Sequence, residues 1–263
     1  MGRVTADSAV ITEDDPNFVV ALARGLSVIR VFSRQQEKMM LAEVARAVGL
    51  SRATTRRCLL TLQALGYVDM SGGEYRLAPK VLTLAHAYLS SNLIPRLAPP
   101  FLERISEKLG ESSSISVLSG NEVIYLARSK SRRVSAMVRD VGTRQPAYCT
   151  SMGRVLLASL SPSELNAYFQ TVTLHPYTKH TVTDEAELRA ILDTVRAQQY
   201  CASDQQFEMD LRALAVPLFN GAGRTVAALH ATTQASRTTM KQMTSRFLPV
   251  LREAASDMRA LLV

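Results

Sequence analysis

The stretch "GLSRATTRRCLLTLQALGYV", residues 49–68, combines two patterns in one segment. At about 100° per residue, Thr55, Cys58, Leu59, Leu62 and Leu65 fall on one helical face and Arg52, Ala53, Arg56 and Arg57 on the opposite side. Ser51 stands where a helix N-cap accepts a backbone N–H, and Gly49 suits the C-terminus of a preceding helix, where positive φ is wanted. Leu60 lies on the polar side, against the pattern. Alone, the segment reads either as a core helix with a solvated basic face or as a helix that reads nucleic acid.

The flanking sequence favours nucleic acid. Residues 18–32, "FVVALARGLSVIRVF", repeat apolar residues at helical spacing behind Asn17 as a cap. "LAEVARAV" places Leu41, Val44, Ala45 and Val48 on one stripe of a short helix that ends at Gly49. After Gly66 the period changes to two: "YVDM" and "YRL" make strands about the glycine turn "SGGE". Helix, helix, short turn, helix and hairpin is the winged helix-turn-helix order, in which the second helix of the pair enters the major groove. "PKVLTLAHAYLSSNLIP" then reads as a linker helix bounded by Pro79 and Pro95, with Val81, Ala85 and Tyr88 beside Leu82 and Leu89 as an apolar face for dimerisation.

Composition agrees. The chain has 263 residues, 47% apolar, with a net charge of +8 and a pI near 9.7, which favours an anionic partner. Residues 20–80 carry ten Lys/Arg against four Asp/Glu, so six of the eight net charges lie there. Three well-separated cysteines, Cys58, Cys149 and Cys201, argue for a reducing cytoplasm and against a disulfide framework. No apolar stretch approaches the ~20 residues of a membrane span, and no membrane association is expected. From about residue 95, strand candidates ("SISVLS", "EVIYLAR", "RVSAMV", "LRALAVPLF", "TVAALHAT") alternate with helices over 100–109, 151–159, 162–169, 184–198 and 240–262. This is an α+β domain with a mostly antiparallel sheet. The expected organisation is a flexible acidic N-terminus (1–16), a winged helix-turn-helix (17–78), a linker helix (79–94) and a second domain (95–263).

Four stretches, "LSRATTRRCLLTLQALGYV", "YRLAPKVLTLA", "VGTRQPAYCTSMGRVLLASL" and "DLRALAVPLFNGAGRTVAALHAT", resemble in order those of the IclR family of bacterial transcriptional regulators, over nearly the whole chain from about residue 18. "PAYCTSMGRVLLA" is most similar to the branch that controls aromatic-acid breakdown through the β-ketoadipate pathway (the PcaR/PcaU/PobR type). The resemblance implies a GAF-like effector-binding domain sensing a small organic or aromatic acid or its ring-cleavage product. It also implies a homodimer or dimer of dimers on a palindromic site in double-stranded DNA, with RNA polymerase a further candidate partner. No cofactor, metal or enzymatic activity is expected.

For DNA, arginine forks suit guanine and phosphate, and hydroxyls suit phosphate. The expected contacts are Ser51, Arg52, Thr54, Thr55, Arg56 and Arg57, with Tyr75 on the wing. For the effector, "YCTSMGR" puts Thr150, Ser151, Met152 and Gly153 at a helix start, where free N–H groups and the helix dipole favour a carboxylate, although Thr150 or Ser151 can equally be a simple cap. By family position Ser203, Asp204, Ala213, His230 and Thr232 also face the pocket, His230 and Thr232 on one side of a strand. His230 reads equally as a hydrogen-bonded core histidine. Arg128 or Arg133 would supply a cation. Two departures from the family pattern stand out: Asp210 where glycine is usual, and Gln205 and Gln206 in place of a commonly acidic pair. Two rival classes are weaker. A hydrolase using Cys149 or Ser151 lacks a nucleophile elbow. In a metal sensor using Cys149, Cys201, His175, His180 and His230, only His175 and His180 approach ligand spacing.

Overall fold

The computed structural model describes residues 13–33, 36–129 and 140–262. Arg133, the strand expected over 133–138 and most of the acidic N-terminus lie outside the described residues. The chain divides into two compact units, one up to Tyr88 and one from Leu89; this division falls inside the expected linker helix.

In the first unit α1 (Val20–Arg30) precedes a two-residue strand, β1 (Met39–Met40), which runs into α2 (Leu41–Val48). Glu43 Oε2 accepts the Met40 N–H at 2.7 Å and so starts α2. Gly49 closes it at φ 69°, as its position predicts. The helix α3 (Arg52–Ala64) opens on Ser51, whose hydroxyl accepts the Thr54 N–H at 3.2 Å. β2 (Val68–Ser71) and β3 (Glu74–Leu77) form the wing. Gly72 and Gly73 both have positive φ, as a tight two-residue hairpin turn requires. The missed strand β1 adds to the far edge of β3, with Met39 opposite Tyr75. Val28, Met39, Val44, Leu59, Leu62, Val68 and Tyr75 make the core. Leu65, expected in that core, is instead 52% exposed.

The helix α4 (Val81–Ser91) buries none of its residues. The next, α5 (Leu93–Leu109), starts earlier than expected and runs through Pro95, which was expected to stop the linker helix. Pro95 is the third residue of α5, where a backbone N–H has no helical acceptor to lose. The apolar face of Ile94, Ala98, Phe101, Leu102, Ile105 and Leu109 then carries the helix past Pro99 and Pro100.

A six-stranded antiparallel sheet organises the second unit: β4 (Ser113–Ser119), β5 (Glu122–Ser129), β6 (Arg144–Pro146), β7 (Cys201–Asp204), β8 (Leu211–Phe219) and β9 (Thr225–Gln234), in the order β6-β5-β4-β9-β8-β7. The short outer strands β6 and β7 carry no alternating apolar signal and were not expected. The helices α6 (Ser151–Ala158), α7 (Pro162–Thr171), α8 (Glu185–Gln198) and α9 (Met240–Arg259) complete the unit, close to the expected spans. Alternation sorts the strands. Leu214, Val216, Leu229 and Ala231 join the core with α5 and α9, whereas Ala215 and Ala228 join that with α6, α7 and α8. Small residues on the second face let α6 sit close to the sheet. At Gly153 any Cβ would overlap the backbone of Ala147.

Candidate functional site

On α3, Arg52, Arg56 and Arg57 are exposed, and no carboxylate among the described residues pairs with them. Three uncompensated cations on one exposed helix make a surface for phosphate and base edges. Thr54 is half-buried behind the Ser51 cap, and its hydroxyl oxygen accepts from Ser51 Oγ at 3.0 Å. Two expected contacts are corrected. Thr55 is fully buried and its hydroxyl donates to the Ser51 carbonyl at 3.0 Å, because its face of the helix is the core face. Tyr75 is 9% exposed and packs in the core, because its position in β3 points inward. Leu60 is 41% exposed among the arginines, so it breaks the core pattern by belonging to the outer surface. Lys80 Nζ donates to the Leu65 carbonyl at 2.9 Å and caps the C-terminal end of α3.

In the second unit the first turn of α6, strands β7, β8 and β9, and the 205–211 segment enclose a cavity. Thr150, Ser151, Met152, Ser203, Ala213, His230 and Thr232 line it, as expected, together with Tyr125, Gln145, Cys149, Gln206, Phe207 and Leu211. Its floor is built in rows across the sheet. Ser203, Ala213 and Thr232 are direct cross-strand partners, and the next row runs Cys201, Ala215, His230, Ser114, Arg128. Its open centre is about 20 Å³, room for one water.

Thr150 turns out to be the helix cap: its hydroxyl accepts the Gly153 N–H at 3.2 Å. Ser151 is different. It is 1% exposed, and its hydroxyl has no hydrogen-bond partner. The first N–H groups of α6, on Ser151 and Met152, precede any helical acceptor. A hydroxyl and two N–H donors thus converge where the helix dipole favours negative charge. His230 both lines the cavity and is held in place: Ser114 Oγ lies 3.1 Å from its Nε2, and Tyr125 packs edge-on against its ring.

Three expected effector contacts fall outside the lining. Gly153 is committed to close packing on Ala147, and its N–H is taken by Thr150. Asp204 follows Ser203 on β7, where successive side chains alternate; its carboxylate binds Arg212 at 2.8 and 3.1 Å, which holds it below the usual carboxylate range. Arg128 is half-buried on β5 at the far end of the His230 row. Asp210 adopts φ 59°, the left-handed turn that glycine would make easily; its Oδ1 accepts the Ser236 N–H at 2.8 Å.

Sequence reasoning missed Arg154. Three residues after Ser151 on α6, it is 2% exposed, its Nε donating to the Tyr148 carbonyl at 2.7 Å and its Nη2 to Gln206 Oε1. Gln206 in turn belongs to a segment pinned by Thr178 and Thr181, whose hydroxyls donate to the Gln205 and Gln206 carbonyls at 2.7 and 2.6 Å. Burial pushes the Cys149 thiol up to about 12, against the pull of Arg154. Among the described residues no three His, Cys, Asp or Glu side chains gather as a metal ion would need.

Residues 86–260 match the family described as bacterial transcriptional regulator IclR, C-terminal, and residues 21–70 match the IclR helix-turn-helix domain. The chain belongs to the IclR family. It is a DNA-binding transcriptional regulator with an N-terminal helix-turn-helix and a C-terminal α/β effector domain. Among IclR-family relatives it is 42% identical to the Pca regulon regulatory protein of Pseudomonas putida, over 93% of this chain and 84% of that one. It is 35% identical to the p-hydroxybenzoate hydroxylase transcriptional activator of Acinetobacter baylyi, over 95% and 93%. The crystal structure of an IclR homologue from Microbacterium hydrocarbonoxydans complexed with 4-hydroxybenzoate superposes with a TM-score of 0.76 at 26% identity, over 92% of this chain and 98% of that one.

Proposed function

We propose that the protein regulates a catabolic operon by sensing a small aromatic acid, or the acid formed when its ring is cleaved, in the cavity at the start of α6. The unpartnered Ser151 hydroxyl carries this reading, since a buried polar group without a partner is costly and a carboxylate oxygen would satisfy it. The relatives named for the Pca regulon and for p-hydroxybenzoate hydroxylase, and the homologue bound to 4-hydroxybenzoate, support the aromatic class. Ser151, Met152, Ser203, Ala213, His230 and Thr232 are the proposed contacts. An open centre of about 20 Å³ is too small for a benzene ring, so binding moves the Gln206–Phe207 wall outward. The effector thereby grips two arrangements unequally, the condition for any switch.

Arg52, Arg56 and Arg57 read DNA in this proposal, with Ser51 and Thr54 at phosphates. The chain pairs through α4, where Leu82, Leu84 and Tyr88 are 69%, 51% and 45% exposed on a helix that buries nothing. A two-fold dimer would place two reading helices on a palindrome. Cys149 is no nucleophile, because burial raises its thiol when catalysis needs it lowered.

The test is a thermal-shift and calorimetric screen against protocatechuate, 4-hydroxybenzoate, cis,cis-muconate and β-ketoadipate. A cognate acid raises the melting temperature in proportion to its logarithmic concentration. No concentration-dependent shift with any of the four would refute the effector class.

A further inference from the structure

Arg154 is a buried cation whose hydrogen-bond partners are all neutral: the Tyr148 carbonyl, the Gln206 side-chain oxygen and the Cys201 thiol. An arginine cannot shed its proton to relieve burial. Burying an unpaired charge is among the costliest arrangements in a protein, so the residue that neutralises it is the question. The nearby thiols do not serve. Burial holds Cys201 at about 11 and Cys149 at about 12, so both are protonated at neutral pH. No carboxylate among the described residues forms an ion pair with Arg154. Its side-chain oxygen acceptor, Gln206, is an amide where a carboxylate of the same shape would supply the missing charge. Gln206 also lines the cavity into which the unpartnered Ser151 hydroxyl opens, and Arg154 sits one helical turn from Ser151.

We propose that Arg154 is the fixed positive charge that makes the cavity select an anion, and that a ligand carboxylate replaces the Gln206 amide oxygen as its partner. This rests on the effector reading above and adds to it the residue that determines charge specificity. The exchange also releases Gln206, whose Oε1 additionally accepts the Val182 N–H at 3.4 Å. Arrival of the ligand therefore loosens the wall that has to move to admit it. Discrimination follows from the same arrangement: a neutral isostere has to take the place of the amide without supplying the charge, so it gains nothing from Arg154.

The experiment uses full-length protein and calorimetric titration with two acids, 4-hydroxybenzoate and protocatechuate, each against its carboxamide. Wild type should prefer acid over amide by at least about tenfold. Gln206→Glu places a carboxylate on Arg154 without removing any contact. It should keep or raise the melting temperature while cutting the acid preference at least about tenfold. Arg154→Lys, which keeps the charge, should keep the preference for acid. Wild type binding the acids, with Gln206→Glu retaining full preference, makes Arg154 a structural residue only and overturns the inference. Wild type binding none of the four acids of the screen overturns the effector reading and this inference with it.

Discussion

Replacing Gly153 by alanine tests how closely the start of α6 has to pack on the 146–147 segment that leads into it. The added methyl would meet the Cα, carbonyl carbon and oxygen of Ala147, all backbone atoms that no rotamer change can move aside. Relief requires the start of α6 and the 146–147 backbone to separate. Overpacking of this kind costs about 1–3 kcal/mol, and alanine returns up to about 1 kcal/mol of helix propensity. The net expectation is about 1–2 kcal/mol of destabilisation, or roughly 2–8 °C in melting temperature for a domain of this size. The more specific consequence is functional. Ser151 and Met152 ride on the same turn, so their donors are displaced from the cavity and effector affinity falls by about tenfold or more. The α3 surface lies in the other compact unit, so operator affinity without effector stays at the wild-type value. Differential scanning fluorimetry, calorimetric titration with the acid identified in the screen, and fluorescence anisotropy on operator DNA measure the three quantities. Wild-type effector affinity together with a wild-type melting temperature would refute the close-packing argument.

Ser151→Ala removes a buried hydroxyl that has no partner. Stability should hold or rise by up to about 1 kcal/mol while effector affinity drops about tenfold; a destabilised variant with unchanged affinity would contradict the assignment. Arg52→Ala or Arg56→Ala should each cost about 1–3 kcal/mol in operator binding if the lost contact is to a base. A phosphate contact would instead lower the slope of log affinity against log salt by about one, and an unchanged affinity in both variants removes α3 from the interface. Charging one side of α4 with Leu82→Glu and Leu89→Glu should give monomers in light scattering. Persistence of the dimer would place the interface elsewhere. Cys149 and Cys201 ionise at about 12 and about 11 in the folded chain against 9.0 without burial. The unfolded chain therefore gives up protons first, and stability falls as pH rises above about 9. Urea melts of Cys149→Ala/Cys201→Ala at pH 8 and pH 10 should show a smaller loss than wild type.

Elements with local chemical signals were readable in the sequence. Gly49, Ser51 and the Ser161–Glu164 capping box mark helix ends by hydrogen bonds made within a few residues, and these are the ends observed. Strands β8 and β9 announce themselves as continuous apolar runs because each has a different core on either face. What local pattern cannot carry was missed. Met39–Met40 and Cys201–Asp204 become strands only because β3 and β8 offer them an open edge. Pro95, a helix stop by local rule, is harmless in the first turn of a helix whose packing partners are distant in sequence. Leu65 left its expected place because burial at the end of α3 is set by tertiary neighbours rather than by helical phase, whereas Tyr75 follows the strand phase of β3, inward with Leu77. Within the cavity, the lining was anticipated wherever strand period or helix capping applied. Arg154 escaped notice because an arginine next to apolar residues on a helix normally reads as surface. Its burial depends on Gln206, 52 residues away.

The row Ser203, Ala213, Thr232 has a consequence for how such a sensor could change its taste. Each rung belongs to a separate strand, and its backbone hydrogen bonds are fixed by the ladder whatever side chain it carries. A side chain at Ala213, the smallest and central rung, can be exchanged without altering those ladder hydrogen bonds or any residue of α3 or α4. New inducers are thus within reach of single substitutions along one line of the sheet, and a laboratory seeking a biosensor for a different acid would begin its library there.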